Sequence, residues 1–542
     1  MTVLEVARQW AEHDPSAADR EYVLGLVEAG DTAALEPLFQ GPLSFGTAGL
    51  RAEVGPGESR LNVAVITRVT WGLVTWLRRQ IDADPVVVIG CDARHGSAEF
   101  QKAAAGVVSA LGGRALVLPA QNPTPLTAFS VKKYGADAGI MVTASHNPPA
   151  DNGYKVYLGG RVATGAAEGV QLVSPADAEI AACFAEAPFA DEIELSTTGI
   201  EQVDPRADYN ARAAELAGPD RSLTVALTAM HGVGGALGSS ILSSLGFTVS
   251  MVPEQAEPDP DFPTVSFPNP EEKGALDLAK AHATSINADI IIAYDPDADR
   301  CAVAAPIDGG WQQLSGDELG ALLGSYIASR GATGSFANSI VSSRLLSQIA
   351  AAHGLAHSAT LTGFKWIART PALAFGYEEA IGYCCDPEFV ADKDGITASV
   401  LVASMAASLK ASGRTLWDEL DELARVHGLY MTAPLTFRVA DLSLISSGMA
   451  ALRAHPPASL AGSEVVEFLD MAKGEHPSGV TEGLYFRTAA NDRVIVRPSG
   501  TEPKLKCYLE VVLPVGEAEV PRAEARTRLD RIAAELKDVL GM

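Results

Sequence analysis

Short β-branched apolar runs alternate with longer stretches of helical period along most of this chain. Val86–Cys91 reads as a buried strand, Ala98–Leu111 as a helix, Arg114–Leu118 as a strand, Pro125–Tyr134 as a helix and Ala138–Thr143 as a strand. The alternation returns further on. Leu223–Ala229 and Thr248–Val252 flank a helix, Ile290–Ala293 follows another, and Ser339–Val341 and Ala359–Leu361 bracket a third. Such alternation predicts α/β units with parallel or mixed sheets and helices on both faces. An amphipathic stretch up to residue 40 reads as one or two helices. Beyond residue 440 the pattern changes to strand Arg493–Val496, a loop, strand Lys506–Val512 and a charged helix Ala518–Leu540, which predicts a smaller α+β domain. The expected organisation is a helical segment over 1–40, α/β domains over 41–210, 211–330 and 331–440, and an α+β domain over 441–542.

Composition narrows the partners. The chain has 542 residues, too many for one hydrophobic core. It carries 41 Lys and Arg against 67 Asp and Glu, a formal charge of −26. So acidic a chain repels nucleic acid and anionic membrane surfaces, so neither is an expected partner. An anionic small molecule would instead require the few cations to be gathered where it binds. The first dozen residues are charged throughout and contain no signal-like apolar core. No apolar run approaches the roughly 20 residues that span a bilayer. The six cysteines are scattered without a CxxC pair and read as reduced core residues. The expectation is a soluble, cytoplasmic protein, monomer or dimer.

Three segments carry chemistry. Thr143-Ala144-Ser145-His146-Asn147-Pro148-Pro149 follows an apolar strand directly, which puts Ser145 at the ligand edge of a sheet, with Pro148 and Pro149 holding the chain extended beyond it. A serine hydroxyl needs help to act as a nucleophile, and His146 and Lys155 are nearby proton-transfer candidates. Asp295-Pro296-Asp297-Ala298-Asp299-Arg300 follows another buried strand. Its three carboxylates, at a period of two, project to one side of an extended segment and repel one another unless a cation neutralises them. Hard oxygen ligands suit Mg²⁺; an EF-hand is excluded because Arg300 stands where glycine is required and Pro306 where the bidentate glutamate belongs. Arg497-Pro498-Ser499-Gly500-Thr501-Glu502-Pro503-Lys504 combines small residues that form an anion nest with an arginine clamp. Two further segments fit: the glycine-rich loop Phe45–Arg51, and Glu378-Glu379, whose carboxylates could accept bonds from sugar hydroxyls. Gly232-Val233-Gly234-Gly235 lacks the dinucleotide fingerprint and reads as a tight strand–helix turn.

With these residues in order, the chain resembles the α-D-phosphohexomutase superfamily, which includes phosphoglucomutases, phosphomannomutases and phosphoglucosamine mutases. The motifs TASHNPP, DPDADR, YEEAIG and RPSGTEP carry the resemblance from about residue 40 to the end. The forms FGTAGLR, DNGYKVY, GFKW and GYEEAIGY are most similar to the branch containing phosphopentomutase and glucose-1,6-bisphosphate synthase. The resemblance implies a heart-shaped enzyme of three α/β domains and a C-terminal α+β domain around a central cleft. It implies Ser145 as the phosphorylated nucleophile and Mg²⁺ between that phosphate and Asp295, Asp297 and Asp299. Arg51 and Arg300 would stabilise the transferring group, and His146, Lys155 and Lys393 are the acid/base candidates. Thr47, Glu378 and Ala380 would meet the sugar, while Arg497, Ser499, Gly500, Thr501 and Lys504 would bind the distal phosphate.

The implied reaction is reversible phosphoryl transfer between the 1-position and the 6- or 5-position of a sugar phosphate, through phosphoserine and a sugar bisphosphate that also serves as activator. Where many hexomutases have Glu-x-Ser, this chain has Glu378-Glu379-Ala380, which bears on the sugar and leaves the chemistry untouched. Alternatives are a phosphomannomutase, a glucose-1,6-bisphosphate synthase, or a non-catalytic sugar-phosphate scaffold. The intact Ser145, aspartates and Arg300 argue against the scaffold.

Overall fold

The structure is a computed structural model that describes residues 1–46, 49–439, 441, 443–499, 504–517 and 519–541. It divides into two compact units, residues 1–313 with 382–408, and residues 314–381 with 409–542. The first unit opens with helices Val3–Glu12 and Ala17–Ala29, each started by a hydroxyl cap at Thr2 and Ser16. Seven strands follow: β1 (Leu50–Glu53), β2 (Val86–Cys91), β3 (Arg114–Val117), β4 (Ala138–Val142), β5 (Asp151–Leu158), β6 (Val170–Gln171) and β7 (Ile200–Gln202). Their order is β1-β5-β4-β2-β3-β7, with β6 beside β5. The β4-β2-β3-β7 core is parallel, and β1 and β5 run antiparallel at one side.

Register decides what emerges where. Cys91 pairs with Val142, so β2 and β4 end together and the loops starting at Asp92 and Thr143 leave the sheet side by side. Lys155 of β5 lies opposite Met141, and Arg51 of β1 lies opposite Gly153. The second sheet contains β8 (Thr224–Thr228), β9 (Thr248–Met251), β10 (Ile290–Tyr294), β11 (Cys301–Ile307) and β12 (Gly310–Gln313), in the order β12-β11-β10-β8-β9. Tyr294 pairs antiparallel with Cys301, so residues 295–300 are the closed turn of a hairpin. This corrects the expected extended segment. Ala298 takes φ 55°, and its N–H donates to the Asp295 carbonyl at 2.9 Å, which folds the loop and converges carboxylates that alternation alone would only align. The serine loop likewise turns instead of running extended, with Ser145 itself at φ 55°.

In the second unit, β13 (Ser335–Ser339), β14 (Ala356–Thr360) and β15 (Leu373–Glu378) are parallel, with β13 in the middle. The strand expected at Ser339–Val341 therefore ends where it was expected to begin. Polar residues of β13 are satisfied inside the protein: the Asn338 amide donates to the Ser343 carbonyl at 2.7 Å and its Oδ1 lies 3.0 Å from His357 Nε2. Ile340 and Val341 follow the strand and pack on Met471, Tyr485 and Ile495. The chain then re-enters the first unit with β16 (Gly382–Cys384) and the helix Gly395–Ala411, in which the Tyr294 hydroxyl donates to Ser399 Oγ at 2.6 Å. The C-terminal sheet is antiparallel, in the order β17 (Leu429–Arg438), β22 (Lys504–Leu513), β21 (Arg493–Pro498), β20 (Leu484–Thr488), β19 (Ser463–Asp470) and β18 (Ser459–Leu460). Helices Ser443–Ala454 and Arg522–Leu540 share its apolar core; the second starts after Pro521, later than the expected 518.

A buried ion cluster joins these two layers of the second unit. Glu510 of β22, with no exposed surface, accepts from Ser343 Oγ and the Arg344 N–H, each at 2.8 Å, and from Arg344 Nε at 2.5 Å. Arg493 adds a guanidinium with Nε 3.6 Å from the same carboxylate, while its Nη atoms donate to the carbonyls of Ile340, Val341 and Ser342. Burial raises the Glu510 pKa, but the two arginines outweigh it and hold the carboxyl below its ordinary value. Removing one member of such a buried set strands the others, at a cost of about 3–5 kcal/mol. Glu510→Ala is therefore expected to lower the stability of the second unit by that amount in chemical denaturation. Because the folded pKa is depressed, the stabilisation is present above the unfolded pKa and lost as pH falls through the folded one. A loss under about 1 kcal/mol at neutral pH would refute the role assigned to the cluster.

Candidate active site

Two loops of the first unit meet. Ser145, almost fully buried, places Oγ 3.0 Å from Asp295 Oδ2 and 3.2 Å from His146 Nδ1. Its N–H donates to Thr143 Oγ1 at 2.9 Å. Asp295, Asp297 and Asp299 are wholly buried, and one oxygen from each lies within 4.8 Å of the others. The second oxygens are taken. Lys155 Nζ donates to Asp297 Oδ2 at 2.7 Å and Asp299 Oδ2 at 3.0 Å, and Lys393 Nζ donates to Asp299 Oδ2 at 2.5 Å. Thr124 Oγ1 donates to Asp297 Oδ2 at 2.6 Å. Asp295 Oδ1 accepts the Arg300 N–H at 3.0 Å. By contrast, Asp297 Oδ1 and Asp299 Oδ1 are buried and accept no hydrogen bond among the described residues. Such orphaned acceptors are rare in native interiors. Two orphaned carboxylate oxygens beside a third carboxylate form a hard donor set that could hold a divalent cation.

The charges respond to this crowding. Burial, then Asp297 and Asp299, push the Asp295 carboxyl far above its ordinary range. Asp297 and Asp299 feel the same burial, but Lys155 and Lys393 outweigh it and hold both low. Burial lowers the Lys155 pKa, and Asp297 and Asp299 more than reverse that, so Lys155 keeps its proton. His146 is pushed well below its ordinary value by burial and by Arg300 and Arg51, so its ring is neutral at neutral pH and one nitrogen can accept a proton. Arg300 Nε lies 3.9 Å from Asp295 Oδ2 and 3.8 Å from Asp299 Oδ1. Arg51 donates through Nη1 to Asn147 Oδ1 at 3.1 Å.

Lys393 is delivered by a turn anchored on both sides. Asp392 Oδ2 accepts from the Tyr157 hydroxyl at 2.7 Å and Gln171 Nε2 at 2.8 Å, and Asp394 accepts from the Tyr209 hydroxyl at 2.8 Å. Gly382 makes room: a Cβ there would stand 2.3 Å from Lys393 Cδ. Ser145, His146, Lys155, Arg51, Arg300, Lys393 and the three aspartates thus share one site.

Of the remaining residues expected from the motifs, Glu378, Ala380, Arg497, Ser499 and Lys504 lie in the second unit. Glu378 Oε1 accepts the Gly363 N–H at 2.8 Å, and Glu379 Oε2 accepts from Ser339 and Ser342 at 2.9 and 3.1 Å. Ala380 follows β15, half-buried. Arg497 Nη1 donates to Thr362 Oγ1, and the Ser499 N–H donates to the carbonyl of the buried Lys504 at 2.8 Å. Thr47, Gly500 and Thr501 lie outside the described residues. Sequence reasoning missed Arg94 and Thr124. Both follow the carboxyl end of a parallel strand (β2 and β3), where ligand loops of α/β sheets emerge, and that position was the available signal.

Four consecutive segments match the models of the phosphoglucomutase/phosphomannomutase family: α/β/α domain I at 42–190, domain II at 207–307, domain III at 315–426 and the C-terminal domain at 450–528. A probable phosphomannomutase of Haemophilus influenzae is 43% identical, over 83% of this chain and 93% of the relative. The phosphopentomutase of Homo sapiens is 34% identical, over 94% and 92% of the two chains. A crystal structure of a putative phosphomannomutase from Thermus thermophilus shares the fold, with TM-score 0.71 and 23% identity over 92% of this chain and 99% of that one. With all four segments matched in order along the sequence, the chain belongs to the phosphoglucomutase/phosphomannomutase family of the α-D-phosphohexomutase superfamily, a family of phosphosugar mutases.

Proposed function

We propose that Ser145 carries the phosphoryl group of a Mg²⁺-dependent mutase acting on sugar 1-phosphates in the cytoplasm. The observation that carries this reading is the buried Ser145 hydroxyl 3.0 Å from Asp295, within a triad of aspartates two of which hold an oxygen without a hydrogen bond among the described residues. When bound by Asp295, Asp297, Asp299 and the phosphoserine, Mg²⁺ supplies positive charge against the transferring phosphoryl group.

The chain's own groups do the rest. The P–O bond to Ser145 breaks as a P–O bond to the sugar 6- or 5-hydroxyl forms; Ser145 Oγ takes up a proton and the hydroxyl gives one up. Lys155, beside the triad, is one proton-transfer candidate, and neutral His146, 3.2 Å from Ser145 Oγ, is suited to accept a proton. Lys393 is a third candidate. Arg51 and Arg300 stabilise charge on the moving group. In the second half-reaction the 1-phosphate of the bisphosphate passes to Ser145, completing the isomerisation, and added bisphosphate primes unphosphorylated enzyme. Glu378 binds sugar hydroxyls; Thr47, Arg497, Ser499, Gly500, Thr501 and Lys504 bind sugar and phosphate. Such catalysis is positioning and electrostatics.

Ser145→Ala is expected to remain folded and lose turnover, while wild-type protein incubated with ³²P-labelled glucose 1,6-bisphosphate takes label at Ser145. Label confined to another residue would overturn the assignment.

Asp297→Asn is expected to cut activity strongly, with only partial recovery in excess Mg²⁺, because it removes a charged ligand. Activity that survives complete chelation of divalent cations would sink the metal role.

The sugar is a separate question. The resemblance to phosphopentomutase and the alanine at 380, which withholds a net hydrogen bond worth about 0.5–1.5 kcal/mol, favour tolerance of a smaller ring. The identity with the Haemophilus influenzae relative favours the phosphomannomutase alternative. We expect glucose and ribose or deoxyribose 1-phosphates to be turned over, with mannose 1-phosphate poorer in kcat/KM when each matching bisphosphate is supplied. Mannose 1-phosphate winning by more than about tenfold, with inert pentoses, would select the alternative; a tenfold ratio is about 1.4 kcal/mol.

A further inference from the structure

Ser145 sits at φ 55°, a region that non-glycine residues enter only when their surroundings force them. The force has a visible source. Arg94 leaves the end of β2 beside the serine loop and is only 4% exposed. Its Nη2 donates to the carbonyls of Ser145 at 2.7 Å and Asn147 at 2.5 Å, and its Nη1 to those of Pro148 at 2.8 Å and Asp151 at 2.9 Å. One guanidinium thus ties four carbonyls from the nucleophile to the first residue of β5. The planar fork matters: no other side chain presents so many donors in fixed directions, and a lysine offers three on a single atom.

Arg94 is itself held. Asp92 Oδ1 accepts the Arg94 N–H at 2.9 Å and the Ser97 hydroxyl at 2.6 Å, and Asp92 Oδ2 lies 3.5 Å from Arg94 Nε. The Phe262 ring lies 5.1 Å from the guanidinium carbon. A second tie runs back from the serine side, where Asn152 Nδ2 donates to the His95 carbonyl at 2.9 Å and to Ser97 Oγ at 2.8 Å. Among the described residues, the four side-chain hydrogen bonds of Arg94 all come from its Nη atoms and go to main-chain carbonyls, none to the aspartate triad, while Nε makes none.

We propose that Arg94 is a positioning residue for phosphoryl transfer: it clamps the turn from Ser145 to Asp151 and holds Ser145 in its left-handed conformation, which aims Oγ at the aspartate triad. The clamp acts on the nucleophile and leaves sugar-phosphate binding alone. Its removal therefore lowers kcat and leaves KM in place, because a displacement near 1 Å at a reacting atom costs about 100-fold. The inference rests on Ser145 as the phosphoacceptor.

The test compares Arg94→Lys and Asp92→Asn with wild type. Arg94→Lys is expected to lower kcat about 100-fold and to slow ³²P transfer from glucose 1,6-bisphosphate to Ser145 in parallel, with KM for glucose 1-phosphate changed less than about threefold. Asp92→Asn keeps the guanidinium but loosens its anchor, and is expected to lower kcat by a smaller factor at the same KM. It carries the comparison should Arg94→Lys fail to fold. Thermal unfolding adds a readout independent of turnover. Ser145→Gly relieves the backbone strain and is expected to raise Tm in the wild-type background, and to raise it less in the Arg94→Lys or Asp92→Asn background, where the turn has already relaxed. Wild-type kcat in both variants, a rise in KM with kcat unchanged, or equal Tm gains in all backgrounds would overturn the inference. Absence of label on wild-type Ser145 would instead bring down the underlying reading, so the two failures are distinguishable.

Discussion

Three like charges in one buried hairpin turn are the constraint on which the rest of the site depends. Asp295, Asp297 and Asp299 have no exposed surface, and carboxylates so close cannot all ionise without positive charge beside them. Lys155 and Lys393 neutralise the outer side of the set through Asp297 Oδ2 and Asp299 Oδ2. The Oδ1 atoms of the same residues are left without donors among the described residues. One arrangement therefore both tolerates the charges and leaves ligand atoms available. It also explains why the Asp295 carboxyl is pushed up while its two neighbours are held down: the lysines serve only those two directly.

Meeting that constraint shapes the path of the chain. Lys155 comes from β5, which crosses between β1 and β4, and its register beside Met141 places it next to the serine loop. Lys393 has to come from much further along the sequence. The first unit is discontinuous for this reason in chemical terms: residues 382–408 belong to it and bring a lysine to Asp299. The anchors of this return segment are buried hydroxyls on aspartates, Tyr157 on Asp392 and Tyr209 on Asp394. Each is worth more in a dry interior than on a surface, and each would be costly to leave unmade. A lysine on a free loop would lose rotamer entropy on every approach to the triad; here the backbone is already in place.

What could be read from the sequence was chemistry written in contiguous residues. The serine, the aspartates and Lys393 stand in local motifs, and strands β2, β4, β8 and β10 are apolar runs that no helical period imitates. Harder to read was what the backbone does. Ala298 and Ser145 in left-handed conformations carry no residue-type signal, since neither is Gly, Asn or Asp. Arg94 was hard to single out for a different reason: its Nη atoms donate to carbonyl oxygens, which every residue has, so only its place after a parallel strand marked it. Strand β13 misled because the polar Asn338 hides the strand before Ser339 until its partners Ser343 and His357, 5 and 19 positions away, are known.

The acidity of the whole chain bears on how its cations are used. At −26 the protein repels anionic ligands at long range, so attraction must be local. Within the site the cations differ in what they are committed to. Lys155 and Lys393 are ion-paired to aspartates, and Arg94 is spent on backbone carbonyls. Arg51 is held by a neutral partner, the Asn147 amide oxygen, with its Nε buried and without a hydrogen bond among the described residues. Burial already works against its charge. Asp297 and Asp299 offset part of that cost through space, and a guanidinium hydrogen-bonded to a neutral amide keeps donor capacity for a further anion. In the role proposed for Arg51, the cost of desolvating it is met in the resting protein and the return comes in the state where charge develops on the transferring group, which is how preorganised electrostatics lowers a barrier.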